Sequence, residues 1–327
     1  MKNKILKMLK TSEDYISGEI MCQSLNVTRA SIWKHIRSLR SDGYVIDSVS
    51  NKGYKLISCP DLLTASEVNP FLSTDFIGRS YYYFDSIEST NTKAKELYRA
   101  DAADGSVIVS EEQTAGRGRL GRRWISPKNK GIFASILLRP TIDPLEAYKL
   151  TVISAAAVYN ALSSLNINSL IKWPNDIIID NKKVCGILTE MSAELNLIHY
   201  IVVGIGVNVN TDLKDIPEDL QCKASSLKIQ FNQTFDRQKL LAEILNHFEI
   251  LYKEFLSTNS IKSSVEICKK NSAILNKKVI LIEGKKSTEV TPIDINDAAH
   301  IIVRDENKKL REILSAEISI RTSEGYV

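Results

Sequence analysis

The 327-residue sequence predicts a multi-domain α/β protein, and three observations carry that class. The first sixty residues show helical periodicity with two capping signals and end in a glycine-turn hairpin. A long middle stretch mixes strand and helix patterns, with consecutive strands joined by tight turns, which implies an antiparallel or mixed sheet rather than regular β-α-β alternation. After Leu275 only short strands follow, with no long helix, as in a small closing β-module.

Composition is ordinary for a globular chain, with 43% hydrophobic and 25% charged residues. No apolar stretch approaches the roughly 18 residues needed to span a bilayer. The lysine-rich N-terminus lacks the apolar run and cleavage site of a signal peptide, so a cytoplasmic protein without a membrane partner is expected. Cys22, Cys59, Cys185, Cys222 and Cys268 are scattered without C-x-x-C spacing, and the four histidines show no zinc-ligand pattern. Reduced thiols and no zinc are therefore expected. Net charge is only +4, yet residues 1–60 hold ten Lys plus Arg against five Asp plus Glu. That excess points to a polyanionic partner for the N-terminal module alone.

Ile5, Leu6 and Leu9 make an apolar helical face. Ser17-Gly-Glu caps a second helix over Ile20, Met21 and Leu25, and Thr28 caps a third whose Ile32, Ile36 and Leu39 face inward. The outer faces carry Arg29, Ser31, Lys34, His35 and Arg37. This is a helix-turn-helix, and the strands around Tyr44-Val-Ile-Asp and Tyr54-Lys-Leu-Ile, joined by Ser50-Asn-Lys-Gly53, complete a winged helix over residues 1–60. DNA is the favoured partner, read by Gly18 to Arg37, with Thr28, Arg29, Ser31, Lys34 and Arg37 foremost and Lys52 at the wing tip. A helical dimerisation module with a hairpin is the alternative.

Ile57 to Leu63 reads as a connector, and Thr64 with Glu67 as a capping box. Strands are predicted at 81–84, 106–110, 132–139, 167–173, 177–180, 184–191 and 197–209, and helices at 91–99, 145–165, 236–256 and 261–270. Short strands at 279–282, 290–295, 301–304 and 318–321 close the chain. The domain boundaries that follow are 64–272 and 273–327.

Four constellations in the middle domain carry chemistry. Gly116 to Trp124, GRGRLGRRW, places glycines that let a ligand approach among arginines that fork onto phosphate or carboxylate. It is a literal G-x-G-x-x-G, but it neither follows a strand directly nor opens a helix, so a dinucleotide turn and NAD are not expected. Lys172-Trp-Pro-Asn-Asp176 alone reads first as a hairpin turn. Lys183-Val-Cys-Gly186-Ile-Leu-Thr-Glu190 begins an apolar strand with a lysine, either solvent-facing or functional. Gly204-Ile-Gly206-Val-Asn208-Val-Asn210 puts asparagine amides on a sheet face, where an adenine edge is one candidate partner. Ser89-Thr90-Asn91 looks first like a helix N-cap.

Taken in order, Ser89-Thr-Asn91, Gln113, GRGRLGRRW, KWPND, KVCGILTE, GIGVNVN and Glu317-Ile-Ser-Ile-Arg321 resemble one family over essentially the whole chain: the biotin protein ligases, and within them the bifunctional members that also repress the biotin operon (the BirA family). The resemblance implies a central mixed-sheet α/β fold of the class II aminoacyl-tRNA synthetase/biotin ligase type and an SH3-like C-terminal β-barrel. It implies formation of biotinyl-5′-AMP from biotin and ATP with Mg²⁺, then transfer of biotin to a lysine of the biotin carboxyl carrier protein of acetyl-CoA carboxylase. Family correspondence gives Ser89, Thr90, Asn91, Gln113, Arg117, Gly118, Arg119, Lys183, Gly186, Gly204 and Gly206 to biotin, and Arg122, Trp124, Asn175, Asn208, Ala224 and Arg321 to the nucleotide. Lys183, Arg119 and Lys172 are the catalytic residues so implied, and Asp176 the Mg²⁺ ligand.

The adenylate is the implied corepressor, promoting a homodimer on operator DNA. The chain departs from the pattern at Leu120, where several relatives carry arginine, and at Asn129, where glycine is common. It also lacks a tryptophan between Val209 and Lys239, so the second aromatic wall that some relatives place against adenine is either missing or replaced by Ala224 or a neighbour. Two other readings stay open, a non-catalytic winged-helix repressor that senses a nucleotide-type ligand and a lipoate ligase.

Overall fold

The computed structural model describes residues 1–194, 197–283 and 286–314 and the backbone of 318–322. The chain divides into two compact units, Met1–Leu62 and Leu63–Val327.

The first unit comprises α1 (Lys2–Thr11), α2 (Gly18–Leu25), α3 (Arg29–Ser41) and the antiparallel pair β1 (Val45–Val49) and β2 (Gly53–Ser58). Ser17 and Thr28 cap α2 and α3 as the sequence predicts, their hydroxyls accepting from Ile20 N at 3.2 Å and Ser31 N at 3.3 Å. Each satisfies a helix-start N–H that has no partner within the helix. Ile5, Leu6, Leu9, Met21, Ile32, Ile36, Leu39, Tyr44 and Ile46 form one closed core. The wing is tied to the helices where Ile16 and Tyr54 exchange backbone hydrogen bonds of 2.9 Å. Gly53 is required there: its φ is +112°, and a Cβ would collide with the Ile16 carbonyl.

The second unit opens with α4 (Ala65–Val68). Thr64 precedes it, but its hydroxyl pairs with Ser66 Oγ at 3.0 Å and makes no cap bond, so the predicted capping box is not formed by that side chain. Next come β3 (Tyr81–Phe84), α5 (Thr90–Arg99), β4 (Ser106–Ser110), β5 (Gly131–Leu138), α6 (Lys149–Ser164), β6 (Leu170–Lys172), β7 (Asp176–Ile179), β8 (Lys182–Glu194) and β9 (Leu197–Asn208). The helices α7 (Leu227–Phe231), α8 (Arg237–Thr258) and α9 (Lys262–Lys270) follow. The strands form one seven-stranded sheet in the order β3-β4-β5-β9-β8-β7-β6, with only the β3–β4 pair parallel.

Strand alternation divides this sheet into two faces. Val107, Val109, Ile132, Ala134, Ile136, Cys185, Ile187, Ile201, Val203, Ile205 and Val207 point into the main core, with α6 and α8. The opposite face carries Ile108, Leu137 and Val202 under α5, whose Ala94 completes a smaller cluster. Farther along that face stand Ser135, Gly186, Leu188, Glu190, Gly204, Gly206 and Asn208, and the functional site is built on them.

The C-terminal strands β10 (Val279–Glu283), β11 (Lys286–Ile295), β12 (Ile301–Asp305), β13 (Leu310–Ile313) and β14 (Ile318–Thr322) form an antiparallel sheet in the order β13-β12-β11-β10-β14. Its residues join the main core, and its turn at Asn296–His300 docks on the seven-stranded part. Tyr148 OH donates to Ala298 O at 2.6 Å, and Trp173 Nε1 donates to Ala299 O at 3.0 Å. Among the described residues no helix is long and apolar enough to cross a membrane.

One buried ion pair fastens the segments that lead into the site. Glu111, just after β4, and Arg237, at the start of α8, are both fully buried, with Arg237 Nη1 2.7 Å from Glu111 Oε2 and 2.9 Å from Gly131 O. The other Glu111 oxygen accepts from Leu63 N at 2.7 Å. Removing one charge leaves the other buried and uncompensated, so Glu111→Gln is expected to cost about 3–5 kcal/mol. Urea unfolding of the two chains measures this, and coincident midpoints would contradict it.

Candidate active site

The glycines of β8 and β9 make a floor. Gly186 and Gly206 are cross-strand partners, and Gly204 stands two residues before Gly206 on the same face. A Cβ on Gly206 would lie 2.6 Å from Trp124 Cε2, one on Gly186 would lie 2.9 Å from Trp124 Cζ3, and one on Gly204 would overlap Asn91 Oδ1. The indole of Trp124 therefore lies directly on the backbone of two strands, and Asn91 leans on a third position that any side chain would occupy. A cavity of about 480 Å³ opens above this floor.

At one end sits a polar network. Gln113 Oε1 accepts from Thr90 N at 2.9 Å and from Thr90 Oγ1 at 3.1 Å, while Gln113 Nε2 donates to Ser126 Oγ at 3.0 Å. The Ser135 hydroxyl lies 2.7 Å from Thr90 Oγ1 and 2.6 Å from Asn91 Oδ1. Asn91 Nδ2 donates to Glu190 Oε2 at 2.7 Å, and Lys95 pairs with Glu190 Oε1 at 2.7 Å. Burial would raise the Glu190 carboxyl, but the hydrogen bonds from Lys95 and Asn91 outweigh it and hold the group below the ordinary glutamate value. Ser89 occupies the N-cap position of α5 without a side-chain cap bond, which frees its hydroxyl from the bland role the sequence suggested.

At the other end are the cations. Lys183 Nζ lies 2.5 Å from Asp176 Oδ1 and 5.3 Å from the Trp124 ring centroid. Lys172 ends β6 and Asp176 begins β7 as cross-strand partners, and both are buried. The GRGRLG segment folds into a small hairpin over the cavity: Gly118 N donates to Arg122 O at 2.7 Å and Trp124 N to Gly116 O at 2.9 Å. Its tip is a three-residue 3-10 turn at Arg119–Gly121 with Leu120 at φ 57° and Gly121 at φ 72°, and it opens no α-helix. From this hairpin Arg119 Nη1 reaches across to Asn175 Oδ1 at 2.9 Å, and Asn175 Nδ2 is fixed on Ile187 O at 3.1 Å. Asn208 Nδ2 donates to Ser225 O at 2.9 Å, and Ala224 bridges the Lys183 backbone.

Residues 83–208 match the biotin/lipoate A/B protein ligase family and residues 2–55 match an HTH domain. Over 257 residues, 78% of this chain and 79% of the other, the sequence is 38% identical to the bifunctional ligase/repressor BirA of Bacillus subtilis. The chain belongs to the BirA family. It is 27% identical to the bifunctional ligase/repressor BirA of Escherichia coli over 323 residues, 98% of this chain and 97% of that one. The biotin protein ligase of Aquifex aeolicus, solved in complex with biotin and ATP, superposes with a TM-score of 0.65 and 29% identity, covering 75% of this chain and 100% of that one.

Of the residues singled out in the sequence, Ser89, Thr90, Asn91, Gln113, Arg117, Gly118, Arg119, Arg122, Trp124, Lys172, Asn175, Asp176, Lys183, Gly186, Gly204, Gly206, Asn208 and Ala224 all line the one cavity. Arg321 lies on β14, and its side chain is outside the described residues. Sequence reasoning passed over Ser126, Ser135 and the place of Glu190 in the polar network. Ser135 had a signal, a lone hydroxyl in an apolar strand two residues from Phe133 and Leu137. The wall beside Ala224 is aliphatic, made by Ile216, Pro217 and Leu220. Asn129 has φ 58°, a left-handed conformation that asparagine tolerates and glycine adopts freely.

A carboxyl whose folded pKa is lowered stabilises the fold above its ordinary value and loses that contribution as pH falls through the lowered one. Stability of Glu190→Gln should therefore fall less on acidification than that of the parent chain. Parallel acid limbs in a melting-temperature profile would exclude Glu190 as a contributor.

Proposed function

We propose that this cavity joins biotin to ATP and passes the biotinyl group to a lysine of a carrier protein. The observation that carries the reading is the meeting, in one cavity, of a neutral hydrogen-bonding end at Thr90, Asn91 and Gln113 with a cationic end at Lys172, Lys183 and Arg119. Biotin has that polarity, with a ureido ring at one end and a carboxylate at the other. The ring would take the place of internal partners in the Ser89–Gln113 network, and the valeryl chain would run along the Trp124 indole, which the bare backbone of Gly186 and Gly206 lets lie close to the sheet.

In the first step a carboxylate oxygen of biotin attacks the α-phosphorus of ATP, and pyrophosphate leaves with the electrons of the broken P–O bond. Lys183 and Lys172 would stabilise the charge that builds on the phosphoryl oxygens, and Arg119, held on Asn175, would close the hairpin over the adenylate. Arg122, Asn208 and Ala224 would contact the nucleotide, and Trp124 would give it a stacking face. The buried Trp124 Nε1 has no hydrogen-bond partner, and a ligand acceptor would satisfy it. In the second step the carrier lysine amine attacks the acyl carbon, AMP leaves, and the amine gives up a proton. No enzyme nucleophile takes part.

Asp176 suits Mg²⁺, which is commonly held by one or two carboxylates together with substrate phosphates. Bound there, the ion would neutralise phosphate charge, and Lys183 would be released from Asp176 to meet the acyl-phosphate. The carrier is that of acetyl-CoA carboxylase, the chain over 273–327 is an SH3-like module that shares its core with the catalytic region 64–272, and Arg321 reaches the nucleotide from it. The winged helix over 1–60 binds operator DNA through Gly18 to Arg37 and Lys52, the adenylate acts as corepressor by favouring a homodimer, and the protein works in the cytoplasm.

Incubated with biotin, MgATP and apo carrier domain, the chain should release pyrophosphate and biotinylate one lysine, and Lys183→Ala should lower the rate about 10²- to 10³-fold. Absence of both products removes the ligase reading, and lipoate in biotin's place should not compete. Arg119→Gly is expected to leak adenylate and label nearby lysines indiscriminately. Retention of the intermediate at the parent level would show that the hairpin is not the lid. Operator binding that ignored biotin and MgATP would remove the corepressor.

A further inference from the structure

The outward face of α3 carries a residue that a phosphate-binding role leaves unexplained. Ile32, Ile36 and Leu39 face inward, and Arg29, Ala30, Trp33, Lys34 and Arg37 are exposed on the other side. Trp33 stands at the centre of that face with 55% of its surface exposed. Ala30 lies one turn before it and Arg37 one turn after, with the Arg37 guanidinium 5.6 Å from the Trp33 ring centroid. The helix contains no acidic residue, so the indole is framed by cations.

Phosphate contacts need only the cations, and solvation alone would be served by a lysine or glutamine at position 33. A large apolar ring among cations is complementary to a polyanion that also presents apolar groups. In the DNA major groove that group is the C5-methyl of thymine, recognised by apolar contact, whereas the phosphates carry no sequence information. RNA lacks the methyl, and its major groove is too narrow for a helix. The cation–π contact with Arg37 restrains the indole and lowers the conformational freedom lost on binding.

We propose that Trp33, with Ala30 beside it, is a specificity-determining residue of the recognition helix, packing against thymine methyls while Arg29, Lys34 and Arg37 hold the phosphates. The proposal rests on the reading of the N-terminal unit as a DNA-binding module.

The test uses the full chain with biotin and MgATP. Binding duplexes are selected from a random-sequence pool, and each thymine of the selected duplex is then replaced by deoxyuridine, which removes only the methyl. Wild-type affinity should fall roughly four-fold for each contacted methyl, the value expected for one buried carbon. Trp33→Ala should bind the thymine duplex more weakly and become indifferent to the replacement, with an unchanged slope of log affinity against log salt because no phosphate contact is lost. Wild type that is indifferent to deoxyuridine at every position overturns the proposal, even if Trp33→Ala fails to fold. So does a Trp33→Ala chain as sensitive to the replacement as wild type, or one altered only in sedimentation, which would make Trp33 a protein contact. If no duplex is selected at all, the DNA-binding reading itself fails.

Discussion

The site depends on one steric constraint, the absence of side chains at positions 186, 204 and 206. Two strands offer bare backbone on the face opposite the main core, and everything above is placed by what that permits. Trp124 lies flat on Gly186 and Gly206, Asn91 occupies the space over Gly204, and Lys183 folds back against Gly186. A glycine within a strand forfeits packing and backbone entropy. Three on one sheet face mark a place where the fold gives up stability for close approach. The opposite face compensates, since the alternating residues Cys185, Ile187, Val203, Ile205 and Val207 are buried in the main core.

The hairpin and the cations are placed with reference to that floor. The hairpin of Gly116–Trp124 is held at its base by backbone bonds and by Trp124 itself, which rests on the glycine floor. Its position also depends on the Glu111–Arg237 pair, which locks the strand end leading into it to Gly131 at the start of β5. On the far side, the turn carrying Lys172 and Asp176 is backed by Trp173, whose indole is bonded to the C-terminal turn. A buried charge pair and a buried indole N–H thus fix segments that line the cavity.

Much of this was legible in the sequence because local signals and global fold agree. Ser17 and Thr28 announced helix starts that form with the expected cap bonds, and the tight turns at Pro174 and Asn181 announced an antiparallel meander. The dispersed motifs converge on one cavity because they fall on one face of adjacent strands or on the loops at its edge. Other features were not legible, for physical reasons. Strand β13, Leu310-Arg-Glu-Ile, is a charged edge strand paired only through β12, and its alternation is too short to read. The Glu111–Arg237 pair joins residues far apart in sequence, each of a type that usually faces solvent. Thr64 has the sequence of a capping box, but its hydroxyl is taken by Ser66. The wall beside Ala224 could not be named because Ile216, Pro217 and Leu220 carry no aromatic signal, only bulk.

An acyl-adenylate made in one cavity with no covalent enzyme intermediate forms reversibly before any carrier protein arrives. The most direct measurement is incorporation of labelled pyrophosphate into ATP by the full chain in the absence of any carrier. Exchange should require biotin and Mg²⁺ together and be lost in Lys183→Ala. Exchange independent of biotin, or none while carrier lysines are still biotinylated, would contradict it.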